Sequence, residues 1–166
     1  MTPQPRHIVK IGEGHVAGAP WRIETVLGSC LGVALVWREG GVYGVAHVVL
    51  PRRHQADDTR YTRYGDTAVP YLLRRMGVPE AKWRDVRAIL VGGSEMYEGS
   101  HSHVGNDNYS AVRASLREHG IRVVGRDVGG RVPRRLVIDS ANGTAESIHL
   151  NDDDTHSGEH TWKLVH

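Results

Sequence analysis

The chain holds one cysteine, Cys30, in 166 residues, which excludes an internal disulfide and fits a reducing compartment. Phenylalanine is absent and aromatic residues make up 6% of the chain, so its core has to be filled by Val, Leu, Ile and Trp. No apolar run approaches the roughly 18 residues of a membrane span, and no charged-then-apolar leader opens the chain. Neither membrane insertion nor secretion is therefore expected. No internal repeat is present. The excess of positive charge is slight, at +2, and the arginine pairs Arg52-Arg53, Arg74-Arg75 and Arg134-Arg135 are scattered. Without clustered aromatics or a nucleic-acid motif, these pairs read as solvated faces and no nucleic-acid partner is expected.

What is present is glycine, 20 residues of it, in a chain long enough to bury roughly 70% of its unfolded surface as one domain. Leu31 to Trp37 and Val42 to Leu50 are apolar runs rich in strand formers, separated by Arg38-Glu39-Gly40-Gly41. That pattern predicts a β-hairpin. A turn centred between Glu39 and Gly40 pairs residues whose numbers sum to 79. His47 then lies opposite Gly32 and Cys30 opposite Val49, all on one face of the hairpin. Cys30 and His47 become diagonal neighbours roughly 7–8 Å apart at Cα, and the bare Gly32 leaves room for the imidazole to lean toward the sulfur. A thiol needs such a base to act as a nucleophile at neutral pH. The alternative is a packing cysteine beside a hydrogen-bonded core histidine.

The rest of the chain predicts an α+β fold, a single-domain layered α/β sandwich with mixed sheets. Arg52 to Arg63 reads as a polar surface loop. A helix capped near Asp66 or Thr67 ends before Gly77, with Pro70 in its first turn. A second is capped at Asn106 or Asp107 and ends at Gly120, with Tyr109, Val112 and Leu116 on one face. Strands are expected at Val86–Val91, Ile121–Val128, Arg135–Ile138 and Ala145–His149. The domain is placed at 1–150. Residues 151–166 form a polar tail, expected to be mobile, whose Trp162, Leu164 and Val165 could dock back.

The string Thr25-Val26-Leu27-Gly28-Ser29-Cys30-Leu31-Gly32-Val33-Ala34, followed by Ala46-His47-Val48-Val49-Leu50-Pro51, closely resembles the CheD family of chemoreceptor glutamine deamidases. The resemblance continues through Arg63-Tyr64-Gly65-Asp66-Thr67-Ala68, Val91-Gly92-Gly93-Ser94-Glu95-Met96, Val104-Gly105-Asn106-Asp107-Asn108 and Asp127-Val128-Gly129-Gly130, covering roughly residues 8–148. It implies a cytoplasmic enzyme that hydrolyses side-chain amides of specific glutamines on chemoreceptor helices to glutamate and ammonia. It also implies the sandwich architecture shared with bacterial toxin deamidases. By position, Cys30 matches the family's nucleophile, His47 its base and Thr25 its third catalytic residue, although Thr25 also reads as a plain strand residue. Backbone N–H groups of the Gly28-Ser29-Cys30 turn are the nearest oxyanion donors.

Two departures bear on recognition. Asp107 stands where the family commonly has arginine, and Val132-Pro133-Arg134 intervenes where a glycine often follows the Asp-x-Gly-Gly run and precedes the basic residue. The resemblance further implies docking to a CheC-type phosphatase. A non-catalytic regulatory binder of that partner is thus the competing reading, followed by a thiol hydrolase of another amide or ester. No cofactor and no metal is expected. His101-Ser102-His103 and the tail residues Asp152, Asp154, His156 and His160 offer ligand types without a familiar spacing.

Overall fold

The computed structural model describes residues 2–95, 103–150 and 159–164. The chain forms β1 (Arg6–Ile8), β2 (Gly14–Gly18), β3 (Arg22–Leu27), β4 (Leu31–Trp37), β5 (Val42–Val48), α1 (Ala68–Arg75), β6 (Arg87–Gly92), α2 (Val104–Glu118), β7 (Arg122–Val128), β8 (Arg134–Asp139), β9 (Thr144–His149) and β10 (Glu159–Lys163). Two five-stranded mixed sheets result, ordered β1-β3-β8-β9-β10 and β2-β5-β4-β6-β7. The expected α+β sandwich with mixed sheets is thus the observed one.

Strand β4 shows why the molecule has three layers. Its residues are nearly all apolar because both of its faces are covered. Leu31, Val33 and Leu35 join Leu72, Leu73, Val112 and Leu116 in a core beneath the two helices. The intervening Ala34 and Val36 join Ile23, Leu27, Leu136 and Ile138 in a second core between the sheets. Each fully buried Leu or Val contributes roughly 1.5–3 kcal/mol. A one-residue slip of β4 would exchange the two sets between cores of different shape, so its register is strongly fixed. The observed β4–β5 pairs, Gly32 with His47 among them, sum to 79 as the turn chemistry predicts.

Both helices end at the expected glycines by the same device. Gly77 N–H donates to the Arg74 carbonyl and Val78 N–H to that of Leu73; Gly120 and Ile121 repeat this on Arg117 and Leu116. Positive φ values of 73° and 72° at the two glycines complete a Schellman cap in each case. The start of α2 differs from expectation. It begins at Val104 rather than beyond Asn106, because Gly105 lies flat against the end of β6: a Cβ there would meet the Gly93 carbonyl at 2.5 Å.

Residues 151–158 lie outside the described residues, whereas Glu159–Lys163 pair with β9 as an edge strand. Trp162 covers the bare Cα of Gly125, and Leu164 is buried with its N–H bonded to the Gly143 carbonyl. Those apolar contacts, rather than the polar composition before them, decide where the strand lies.

Candidate active site

Strand β3 belongs to one sheet and β4 to the other, so Gly28-Ser29-Cys30 is the crossing between them. Its carbonyls are anchored on the loop after β6. Ser94 N–H donates to Gly28 O at 3.0 Å and Gly93 N–H to Cys30 O at 2.8 Å. Only glycine fits at 92, where φ is +109° and a Cβ would stand 2.5 Å from the Cys30 carbonyl oxygen. Among the described residues, the backbone N–H groups of Gly28, Ser29 and Cys30 find no backbone acceptor. Cys30 is a free, half-buried thiol packed against the inter-sheet core.

His47 faces the same inter-sheet layer. Its backbone is held by Glu13 and Gly12, with His47 N–H donating to Glu13 O at 2.9 Å and Gly12 N–H to His47 O at 3.0 Å. Its ring is buried, and Nδ1 lies 2.7 Å from Thr25 Oγ1. Thr25 reaches it from the facing sheet because β3 alternates: Glu24 turns outward to the Arg6 and Arg22 guanidinium groups, while Ile23, Thr25 and Leu27 turn inward.

The same hydroxyl lies 2.8 Å from the Val9 carbonyl oxygen. A carbonyl can only accept, so the single hydroxyl proton goes to Val9 and Thr25 Oγ1 offers His47 a lone pair. Nδ1 therefore carries the ring proton, and Nε2 keeps the basic lone pair. This tautomer is fixed by the network around Thr25. Burial holds the imidazole well below its ordinary value, at about 4. Burial also pushes the Cys30 thiol up, with the Arg63 guanidinium pulling partly back. Both groups thus rest uncharged at neutral pH, a thiol and a neutral imidazole rather than a thiolate–imidazolium pair.

The structure brings Thr25 and His47 into direct contact and turns Cys30 toward the same layer, but Gly32 plays a different part from the one expected. The space above it is filled by the facing sheet, since a Cβ there would meet Leu27 Cδ1 at 2.6 Å and Leu136 Cδ2 at 3.1 Å. Gly32 lets the sheets close, and the imidazole points to Thr25 instead.

Arg134 is likewise not a solvated charge. It is 4% exposed, and its Nη1 donates to Ser94 Oγ and to Gly129 O, each at 2.8 Å, bracing the loop that anchors Cys30. Its short run of charge in the sequence gave no signal of this, because the acceptors come from distant turns. Asn108, fully buried on α2, donates from Nδ2 to Val49 O at 3.0 Å and fixes the chain just past His47. Asp107, the preceding residue, is exposed beside Pro51 and Arg52. Of the expected metal-ligand types, His101, Asp152, Asp154 and His156 lie outside the described residues, and His103 is exposed. His160 stands instead with Asp127 and His149.

Residues 49–148 match the family model described as CheD chemotactic sensory transduction. A protein of Bdellovibrio bacteriovorus named "Probable chemoreceptor glutamine deamidase CheD" is 37% identical over 142 residues, which cover 83% of this chain and 90% of that protein. A Methanococcus maripaludis protein of the same name is 37% identical over 138 residues, covering 82% and 90%. Among solved structures, Neisseria meningitidis protein NMB0706, of family-model DUF152, superposes with a TM-score of 0.46 at 16% identity, covering 76% of this chain and 63% of that one.

Proposed function

The chain belongs to the CheD family, and from that membership we propose that it is a cytoplasmic chemoreceptor glutamine deamidase working through Cys30, His47 and Thr25. The observation that carries this reading is the Thr25–His47 hydrogen bond, which leaves the imidazole with its lone pair on Nε2. No helix among the described residues is long and apolar enough to cross a membrane.

In the proposed reaction His47 Nε2 takes the proton from Cys30 Sγ as the sulfur attacks the glutamine Cδ carbonyl. The negative charge forming on the amide oxygen is received by the uncommitted N–H groups of the Gly28–Cys30 turn. The Gly28 carbonyl is already tied to Ser94 and that of Cys30 to Gly93, and the first of these bonds fixes the peptide that carries the Ser29 N–H. The imidazolium, held by Thr25 and stabilised through it on the Val9 carbonyl, then gives its Nε2 proton to the leaving amine, and ammonia departs. A water, deprotonated by the same Nε2, attacks the thioester. Collapse returns the proton to sulfur and releases glutamate. Thr25 acts throughout as a positioning residue, the part a carboxylate plays in serine hydrolases.

The neutral resting pair suits this sequence of steps. Proton transfer is coupled to attack, so the protonated thiol stays unreactive until a carbonyl is presented. Docking to a CheC-type phosphatase belongs to the same proposal and rests on family membership alone.

The test is mass spectrometry of a chemoreceptor cytoplasmic fragment incubated with wild type and with Cys30→Ala. Glutamine-to-glutamate conversion by wild type alone is expected. No conversion, with Cys30 confirmed reduced, would overturn the receptor-deamidase reading in favour of the non-catalytic binder or of a different amide substrate.

A further inference from the structure

The two sheets meet at one edge through side chains that the proposed reaction does not use. Asp127 on β7 faces β9 and β10, where Ser147, His149 and His160 share one face: Ser147 pairs directly with His160, and His149 lies two residues on. His149 Nε2 is 2.7 Å from Asp127 Oδ2, and His160 Nε2 is 3.9 Å from Asp127 Oδ1. One ligand atom from each of the three residues falls within 4.8 Å of the others.

We propose that Asp127, His149 and His160 form a binding site for a divalent transition-metal ion of the zinc type, clasping strand β10 to the edge of the second sheet. A tetrahedral ion with ligands at about 2.0–2.1 Å sets neighbouring ligand atoms about 3.3 Å apart. The observed contacts, 2.7 Å from His149 Nε2 to Oδ2 and 3.9 Å from His160 Nε2 to Oδ1, run to different oxygens, so an ion on Oδ1 replaces the His149–Oδ2 hydrogen bond and turns both imidazoles toward it. Two imidazole nitrogens and one carboxylate oxygen suit zinc, nickel or cobalt far better than magnesium or calcium.

The carboxylate is oriented from behind, as metal-bound carboxylates usually are. Ser147, fully buried, donates from Oγ to Asp127 Oδ2 at 2.8 Å, and Arg134 Nε lies 3.2 Å from the same oxygen. This leaves Oδ1 toward His160. His160 is stacked on Trp162, their ring centroids 5.9 Å apart, and Trp162 is itself seated on Gly125, so the exposed ligand is also preplaced. His160 is half exposed, which provides an entry path. The Arg134 charge opposes a cation at Oδ2 and sets the expected affinity below that of a cysteine-rich structural zinc site. Residues 49–148 of the family match stop short of His149 and His160, so two of the three ligands lie beyond it. This inference does not depend on the deamidase reading.

The experiment is calorimetric titration of the untagged full chain with Zn²⁺ in a Cys30→Ser background, so that the thiol cannot serve as ligand. One equivalent is expected to bind, with a rise in Tm. His160→Ala, a change at an exposed edge position, is expected to weaken binding at least about tenfold and to abolish the Tm rise. His54→Ala, at an exposed histidine elsewhere, is expected to change neither. Co²⁺ in place of zinc is expected to give the visible absorption of a four-coordinate nitrogen and oxygen site. Absence of stoichiometric binding, or equal affinity in wild type and His160→Ala, would overturn the proposal.

Discussion

Acidification is expected to destabilise the fold through His47. The imidazole titrates near 6.5 when unfolded and at about 4 in the fold, where burial disfavours its charged form. Between those values the unfolded chain binds the extra proton, so stability rises with pH across the window. The contribution is complete above pH 6.5 and is lost as pH falls toward 4. A difference of about 2.5 pKa units corresponds to about 3 kcal/mol in all, of which about 2 kcal/mol is gone by pH 5. His15, also lowered by burial and by His7, changes stability in the same direction. The His47 contribution is isolated by comparison with His47→Gln, which keeps a donor for Thr25 Oγ1 but cannot titrate. Urea unfolding of both proteins from pH 7.5 to 5 checks this. The wild-type curve should fall by about 2 kcal/mol relative to the variant. Parallel curves would refute the argument, because they would mean that His47 is charged in the fold or solvated within it.

The same shift predicts that the acid limb of kcat/KM for glutamine deamidation lies near 4 rather than at an ordinary histidine value, since that limb reports the base of the free enzyme. Thr25→Val orphans both the Nδ1 proton and the Val9 carbonyl, at a cost of about 2 kcal/mol, and lowers kcat by about 100-fold or more, whereas Thr25→Ser restores both bonds and most of the rate. Denaturant melts and single-turnover mass spectrometry separate the two effects, and equal rates for the Val and Ser variants would sink the tautomer argument. Gly92→Ala has to move the Cys30 carbonyl, which a Cβ would approach to 2.5 Å at a φ of +109°. A loss of about 1–3 kcal/mol is expected, together with a fall in kcat at unchanged KM, read by thermal melts and steady-state kinetics.

The hairpin was legible because its turn and its alternation constrain each other. Gly40-Gly41 fixes the centre, and the apolar sets of β4 and β5 then allow one pairing, which places His47 opposite Gly32. Helix ends were legible at Gly77 and Gly120, since an αL cap leaves its own residue type behind. What local pattern could not carry is the contact between sheets. Gly32 reads as room for a ring until Leu27 arrives from the facing strand. Arg134 reads as surface charge until Ser94 and Gly129 converge on it from other turns. The carbonyl of Val9 belongs to the backbone, so no side-chain pattern announces that it sets the proton of His47 through Thr25.

Those long-range contacts tie the chemistry to the fold in a particular way. Cys30 stands where one sheet hands over to the other, Thr25 and Val9 come from the first sheet, and His47 comes from the second. None of the three side chains is poised by its own strand: the tautomer exists only once the two sheets have closed over Leu27 and Leu136. Closure also removes the imidazole from water, which keeps it an unprotonated base at neutral pH and makes the fold sensitive to acid. An available proton acceptor and a weakness toward low pH are therefore one property of the buried Thr25–His47 pair. A substitution that lets water reach the ring is expected to relieve the acid sensitivity and, by the same exposure, to raise the pKa of the base toward its ordinary value.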